Sequence, residues 1–261
     1  MRGARGIAMT ASEVFVANYD SILRYDLEWR LIGNISHPHC ADIHDIAFRD
    51  ETLWVASTLN DLIFQFDCNG DVKEIIDLWK NRGIAAIFGV PKNIRERVNG
   101  TGDPRAPDRA LTDRFHLNSF EFASDGDLIL SLGQVRVNGH FESALVALGA
   151  NGDVRVVHRN SNAPVPSHNI VLLPDGTLLH AETANARVIR VDTNCENGVS
   201  TVLETNGGYT RGLCMLKSGQ AAVGVQNEVW VFDPSSGHVA QRIRISDDAR
   251  ESVHSIVVMN G

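Results

Sequence analysis

The chain of 261 residues has little cysteine and no long apolar run. Its four cysteines, at positions 40, 68, 195 and 214, form no C-x-x-C pair, so neither a zinc knuckle nor a dense disulfide framework is indicated. No stretch approaches the roughly 18 apolar residues that a membrane span needs, and no apolar signal core follows the first residues. These absences predict a cytoplasmic protein that does not enter a membrane.

Positive charge is also in short supply. The chain has 24 Lys and Arg against 32 Asp and Glu, which gives a net charge of −8. Such a balance argues against a broad basic surface for nucleic acid or for an anionic membrane. The hydrophobic content of 43% and charged content of 21% are typical of a globular chain, and no linker composition divides it. We therefore expect one domain over residues 1–261.

Long stretches of helical period are absent, and short alternating apolar runs separated by turn residues dominate. In one repeat, residues 44–48 are followed by apolar runs at 53–57 and 62–66, the turn Asn69-Gly70 and a fourth run at 72–76. Asn-Gly between apolar runs indicates a hairpin, because the tight turn needs positive φ. A four-strand repeat of about 40–50 residues predicts an all-β fold, a β-propeller of four-stranded blades.

Each repeat opens with a His or Arg ahead of an apolar run. These leading residues are Arg5, His44, His116, His168, Arg211 and His254. Five repeats are complete, and the sixth has a leading strand with almost nothing after it, so the count predicts either five or six blades. In a propeller the start of each first strand and the end of each second strand meet at one face. The leading residues are therefore predicted to line a common mouth.

The chemistry of these positions suggests a site. Neutral imidazoles suit transition metals, so His44, His116, His168 and His254 are the candidate ligands of a divalent ion, with Zn, Fe, Cu, Mn and Ca left open. Glu182 and His168 are the candidate catalytic residues. Arginine suits anionic groups, so we expect substrate to be bound by polar residues of the same face: Arg5, Arg211, Asn18, Asn60 and Gln226. The alternative is that these side chains bond neighbouring blades and serve stability.

One segment, at about residues 80–113, departs from the repeat. It contains the turn sequences Gly-Val-Pro and Gly-Asp-Pro and several arginines, among them Arg95, Arg97, Arg105 and Arg109. A long irregular insertion in a compact domain is typical of a lid or of a surface loop, and both interpretations stay open. If the protein is a binding module, these arginines are the candidate docking surface for a partner protein.

The leading segments 44–48, 116–118 and 210–213 resemble those of an uncharacterised bacterial β-propeller family of unknown function. A weaker likeness, carried by residues 169–176 and 181–183, is to the gluconolactonase and regucalcin-like propellers. That second resemblance implies a single divalent ion, with His168 and Asn118 at Asn-type positions and Glu182 near an acidic one.

Two functions follow from the sequence. The first is a metal-dependent hydrolase or lyase acting on a small anionic or hydroxylated substrate at a mouth lined by His and Arg. The second is a non-catalytic propeller that binds a small ligand or a partner protein at the same face.

Overall fold

A computed structural model describes residues 4–90, 113–137, 139–193, 195 and 198–259. Its strands form five four-stranded antiparallel sheets, each with its strands in chain order. The first two sheets contain Gly6–Met9 (β1), Glu13–Ala17 (β2), Ser21–Asp26 (β3), Leu31–Ser36 (β4), Ile43–Arg49 (β5), Thr52–Ser57 (β6), Leu62–Phe66 (β7) and Val72–Asp77 (β8).

The third sheet contains Leu117–Phe122 (β9), Leu128–Val137 (β10), His140–Leu148 (β11) and Val154–Asn160 (β12). The last two contain Ile170–Leu172 (β13), Leu178–Glu182 (β14), Arg187–Val191 (β15), Val199–Glu204 (β16), Thr210–Met215 (β17), Ala221–Val225 (β18), Glu228–Phe232 (β19) and Val239–Arg244 (β20). The predicted all-β fold with five full four-stranded repeats, the blades of a β-propeller, is confirmed.

Turn chemistry sets these hairpins. Gly70 and Gly176 have φ values of 89° and 83°, so the Asn-Gly and Asp-Gly turns adopt the positive φ that the sequence predicts. In two blades the second strand is followed by a 3-10 turn, Thr58–Asn60 after β6 and Thr183–Asn185 after β14. These turns place polar side chains at equivalent ends of two blades.

The described residues divide into two compact units. One comprises residues 4–90 and 113–117, with 135–137, 139 and 259, and the other comprises 118–134, 140–193, 195 and 198–258. Phe64 and Phe66 stack at 5.7 Å in the core of the first unit. In the second, one core forms around Leu179 and Val223, and another around Leu178. The prediction of a single domain stays a prediction.

The insertion contributes one short helix, Arg82–Ile87 (α1), before residue 91. Its first turn is capped by the Asn81 side chain, which accepts a hydrogen bond from Ile84 N at 3.0 Å. Residues 91–112, with the four arginines of the predicted docking surface, lie outside the described residues. No described helix is long and apolar enough to cross a membrane.

The sixth leading strand, predicted to begin at His254, is not formed: residues 251–259 have no strand. Val253 N donates to Gln226 O at 2.9 Å, and Ser255 packs so closely on Gly212 that a Cβ there would lie 3.1 Å from Ser255 N. A leading segment becomes a strand by pairing with the second strand of its own blade, and no strand of the described chain pairs with this one. The prediction of a sixth strand was wrong for this physical reason.

Candidate functional site

A continuous chain of polar side chains lies in the first unit. Arg5 Nη1 is 2.9 Å from Asp42 Oδ1, and Asp42 Oδ2 is 3.4 Å from His44 Nε2. The His44 ring meets the His116 ring edge to face, with 5.2 Å between centroids. His116 Nδ1 is 2.6 Å from Asp113 Oδ2. Three predicted site residues are therefore brought together with two carboxylates, and we call these five side chains the acid–imidazole chain.

The middle of this chain is buried and its ends are accessible. The His44 side chain is 6% exposed, whereas those of Arg5 and His116 are 17% and 18% exposed. Asp42 and His116 both have left-handed backbones, with φ values of 53° and 49°. Such conformations are uncommon for residues other than glycine and concentrate at functional sites. The His116 side chain is therefore in part accessible to solvent.

The Asp113 contact determines which nitrogen of His116 carries the proton. An ionised carboxylate can only accept hydrogen bonds, so Nδ1 donates to Asp113 and Nε2 keeps its lone pair. A carboxylate behind an imidazole fixes the orientation and the tautomer of the ring. His116 is therefore arranged as a general base or as a ligand.

In the second unit His168 is fixed by hydroxyl groups. Its Nδ1 lies 2.6 Å from Thr183 Oγ1, and that hydroxyl donates to Thr210 O at 2.7 Å. Since the hydroxyl proton goes to the carbonyl, Nδ1 of His168 is the donor and Nε2 is the acceptor nitrogen. The ring also meets Tyr209 edge to face at 5.8 Å.

Arg211 organises the other polar group of this unit. Its guanidinium lies 4.1 Å from the Tyr209 ring centroid, and Nη2 donates to the Tyr209 hydroxyl. Its Nη1 donates to Nδ1 of His254 at 2.7 Å. A guanidinium only donates, so Nδ1 of His254 is an acceptor and its Nε2 donates to Ser252 Oγ at 3.1 Å. The lone pair that a metal would need on His254 is thus occupied by Arg211.

Glu182, the predicted catalytic acid, is fully buried. One oxygen faces His158 Nε2 at 2.9 Å, and the other accepts from Arg187 Nε at 2.7 Å and from Asn185 Nδ2 at 3.1 Å. Burial alone would raise the pKa of Glu182, but the His158 contact and these further donors outweigh it and lower the pKa to about 2. The structure places Glu182 in a closed ionic network.

His180 lies on the same face of β14 as Glu182 and is also fully buried. Desolvation by burial lowers the pKa of His180 to about 4, against the opposing influence of the Glu182 carboxylate. His180 is therefore neutral at physiological pH.

The predicted substrate-binding amides hold the chain itself or face solvent. Asn60 donates to His39 O at 2.7 Å, Gln226 donates to Ala249 O at 2.8 Å, and Asn18 is exposed. The first two side chains tie loops to the ends of second strands. Their role in binding substrate stays a prediction.

The donor set does not fit a four-histidine metal centre within either unit. His44 and His116 lie in the first unit and His168 and His254 in the second, where Arg211 occupies His254. Across the described ranges, no three or more His, Cys, Asp or Glu side chains form a group that could hold a metal.

Sequence reasoning missed Asp42 and Asp113, the two carboxylates of the acid–imidazole chain. Each stands two or three residues before a leading histidine, in the sequences D-I-H and D-R-F-H. An acid at that spacing was the available signal, but only the left-handed turn at His116 brings Asp113 back onto its ring. Tyr209, which stacks beneath Arg211, was also missed.

Comparison with known proteins gives relatives by fold only. No protein-family model matches the chain, and no curated protein matches it in sequence. A virginiamycin B lyase from Staphylococcus aureus, solved with quinupristin as a catalytically inactive histidine-to-alanine variant, is 13% identical with a TM-score of 0.58. The match covers 95% of this chain and 71% of that one.

Two further solved propellers are similar. A structure named as a gluconolactonase is 14% identical with a TM-score of 0.64, over 92% of this chain and 77% of that one. A luciferin-regenerating enzyme is 13% identical with a TM-score of 0.63, over 93% and 76%. The predicted resemblance to gluconolactonase-type and regucalcin-like propellers is confirmed as a likeness of fold. The chain therefore has the fold of these β-propellers.

Proposed function

We propose that this chain is a propeller enzyme of hydrolase or lyase type that acts on a small anionic or hydroxylated substrate, with His116 as its acid–base group. The observation that carries the proposal is the 2.6 Å contact between His116 Nδ1 and Asp113. The His116 side chain is partly exposed, and the backbone of His116 is left-handed. The relatives by fold include a lyase that a histidine-to-alanine change inactivates, which supports histidine chemistry on this fold.

The roles follow from the geometry. Nε2 of His116 accepts a proton, either from a water that attacks a carbonyl carbon or from a carbon next to a carbonyl group. Asp113 stabilises the imidazolium that forms, and the same proton then passes to the leaving oxygen. Arg5 lies at the other end of the acid–imidazole chain. One of its nitrogens pairs with Asp42, and the remaining N–H donors of this partly exposed guanidinium suit a substrate carboxylate. We assign the acid–base role to His116 and not to Glu182, one of the two predicted catalytic residues, because both Glu182 oxygens are engaged in a buried network.

Metal dependence, with a divalent ion bound by histidines, is a more specific part of this proposal. A histidine–aspartate pair transfers protons without a metal, so the acid–base role stands apart from that question. Elemental analysis of protein purified without an affinity tag decides it. One equivalent of a transition metal, lost in the His116→Ala variant, supports metal dependence. Absence of metal after growth in supplemented medium counts against it.

The function is tested by turnover of a panel of small lactones, esters and hydroxycarboxylates. We expect His116→Ala to lower kcat/KM on order of 10²-fold to 10⁴-fold, because it removes the acid–base group. Asp113→Asn should lower it in the same direction. The matched control is His238→Ala, which changes an exposed histidine in the turn before β20.

Wild-type kcat/KM in the His116→Ala variant would overturn the assignment. Saturable binding of a panel member without turnover would favour the second candidate, a non-catalytic propeller that binds a small ligand. Loss of turnover in both His116→Ala and the control His238→Ala would indicate a general loss of folded protein, which the circular dichroism of each variant checks.

A further inference from the structure

Asp61 ends the 3-10 turn Thr58–Asn60 and has a left-handed backbone with φ of 51°. Its side chain is fully buried. Asp61 Oδ2 accepts three hydrogen bonds, from Trp79 Nε1 at 2.8 Å, Arg114 N at 2.9 Å and Phe115 N at 3.1 Å. Two of these donors are the backbone amides immediately before His116.

The residue after His116 is held from the same turn. Leu117 N donates to Asp61 Oδ1 at 3.4 Å, and Leu117 O accepts from Thr58 Oγ1 at 2.6 Å. One turn of the second blade therefore grips the backbone on both sides of His116. Since His116 itself has the uncommon φ of 49°, these bonds hold a conformation that the chain alone does not favour.

The donor pattern requires a carboxylate. All four groups around Asp61 are N–H donors, and an ionised carboxylate is the short side chain that only accepts. An asparagine would turn its NH₂ group toward one of the same donors. Burial and the nearby Asp113 charge raise the pKa of Asp61, against the lowering effect of its donors. Burial of a carboxylate costs desolvation free energy, so its presence here indicates a specific structural or functional role.

We propose that Asp61 is the positioning residue of the His116–Asp113 pair, and that its grip on residues 114–117 sets the His116 ring so that Nδ1 faces Asp113. The effect of Asp61 on turnover rests on the proposed function, whereas its effect on the orientation of the His116 ring does not. Asp61 contacts the backbone around His116 and acts through it.

The experiment is side-chain ¹⁵N NMR of histidine-labelled protein. In the wild type we expect His116 to be the Nδ1–H tautomer, with a strongly downfield proton from the short bond to Asp113. In Asp61→Asn we expect that proton to be lost and the tautomer ratio to reverse toward Nε2–H. Trp79→Phe removes one hydrogen-bond donor to Asp61 without a substitution in residues 113–117. We expect this variant to shift the His116 signals by less than Asp61→Asn does.

Glu182→Gln is the matched control, because it neutralises another fully buried carboxylate, whose partners are His158, Asn185 and Arg187. It should leave the His116 signals unchanged while shifting those of His158. An unchanged His116 signature in both Asp61→Asn and Trp79→Phe would overturn the proposal. An equal His116 shift in Glu182→Gln would also overturn it, because the shift would then reflect a nonspecific destabilisation of the fold.

A rate measurement separates this proposal from the proposed function. On a panel substrate, Asp61→Asn should lower kcat on the order of 10²-fold with little change in KM, as expected for a displaced acid–base group. If His116→Ala turns over normally while Asp61→Asn still shifts the His116 signals, the proposed function fails and the positioning role stands. If His116→Ala is inactive and Asp61→Asn changes neither signal nor rate, the positioning role fails alone.

Discussion

At the scale of single residues, the leading histidines have different chemistry because their partners differ. His116 donates Nδ1–H to a carboxylate, His168 donates Nδ1–H to a hydroxyl, and His254 accepts at Nδ1 from a guanidinium. Only the first arrangement pairs the imidazole with a carboxylate. The repeat in the sequence located all three positions, but it did not reveal the partners, which lie two to forty-three residues away along the chain.

Glu182→Gln should destabilise the protein at neutral pH. The folded pKa of Glu182 is about 2 against 4.5 for the ordinary group, and this difference corresponds to about 3 kcal/mol of the free energy of unfolding. A lowered acid pKa stabilises the fold above pH 4.5, and this contribution is lost as the pH falls from 4.5 toward 2. Urea unfolding of wild type and variant, followed from pH 7 to pH 2.5, measures it.

The two unfolding free energies should differ by about 3 kcal/mol at pH 7 and converge in acid. A difference that stays constant across this range would show that the ionisation of Glu182 contributes nothing. Asp175→Asn is a suitable control, because Asp175 is an exposed carboxylate beside Arg190 and surface pairs contribute little.

At the scale of elements, close backbone approach brings the starts of β1 and β5 together. A Cβ on Gly6 would lie 3.1 Å from Ile46 N and 3.2 Å from Asp45 Cα. These atoms belong to the backbone and cannot move aside cheaply. This approach places Arg5, which precedes Gly6, against Asp42, so the glycine serves the acid–imidazole chain as well as the packing.

Gly6→Ala should therefore lower the free energy of unfolding by about 1–3 kcal/mol, as overpacking does. Gly33→Ala is the control, because the nearest atom to its added Cβ is Arg24 Cδ at 4.0 Å. Denaturant unfolding should show a loss for the first variant and a change within about 1 kcal/mol for the second. Equal effects at both positions would contradict the close-approach argument.

Threonines after the second strands bond to the first residue of a later strand. Thr58 Oγ1 donates to Leu117 O and Thr183 Oγ1 donates to Thr210 O, at 2.6 Å and 2.7 Å. The sequence shows these threonines at equivalent places, but not their bonds, because a hydroxyl at a strand end has many acceptors within reach.

Replacing either threonine by valine should lower the free energy of unfolding by about 1–2 kcal/mol, since a buried hydrogen bond is lost without a change in shape. Thr183→Val should in addition change the His168 tautomer, because His168 donates to the same hydroxyl. Thr201→Val, at an exposed position of β16, is the control. Unfolding curves that do not separate the buried variants from this control would refute the claim.

At the scale of the molecule, sequence reasoning was most successful with the repeat. Hairpin turns such as Asn69-Gly70 force positive φ wherever they occur, so strand order and sheet number follow from local rules. The sixth strand failed because a strand needs a partner, which a leading motif such as that at His254 does not guarantee. The candidate site was only partly predictable. The repeat locates the positions of Arg5, His44 and His116, whereas those of Asp42, Asp61 and Asp113 depend on left-handed turns and tertiary contacts.

The most direct test of the proposed site is a titration of histidine-labelled protein with a small hydroxycarboxylate such as lactate or gluconate, followed by side-chain ¹⁵N NMR. We expect saturable shifts of the His116 and His44 signals in the wild type, and their loss in Arg5→Ala, because the proposed site holds the carboxylate at Arg5, in the same chain of side chains as both imidazoles. Saturation that leaves both signals in place, or identical shifts in Arg5→Ala, would contradict the proposed site.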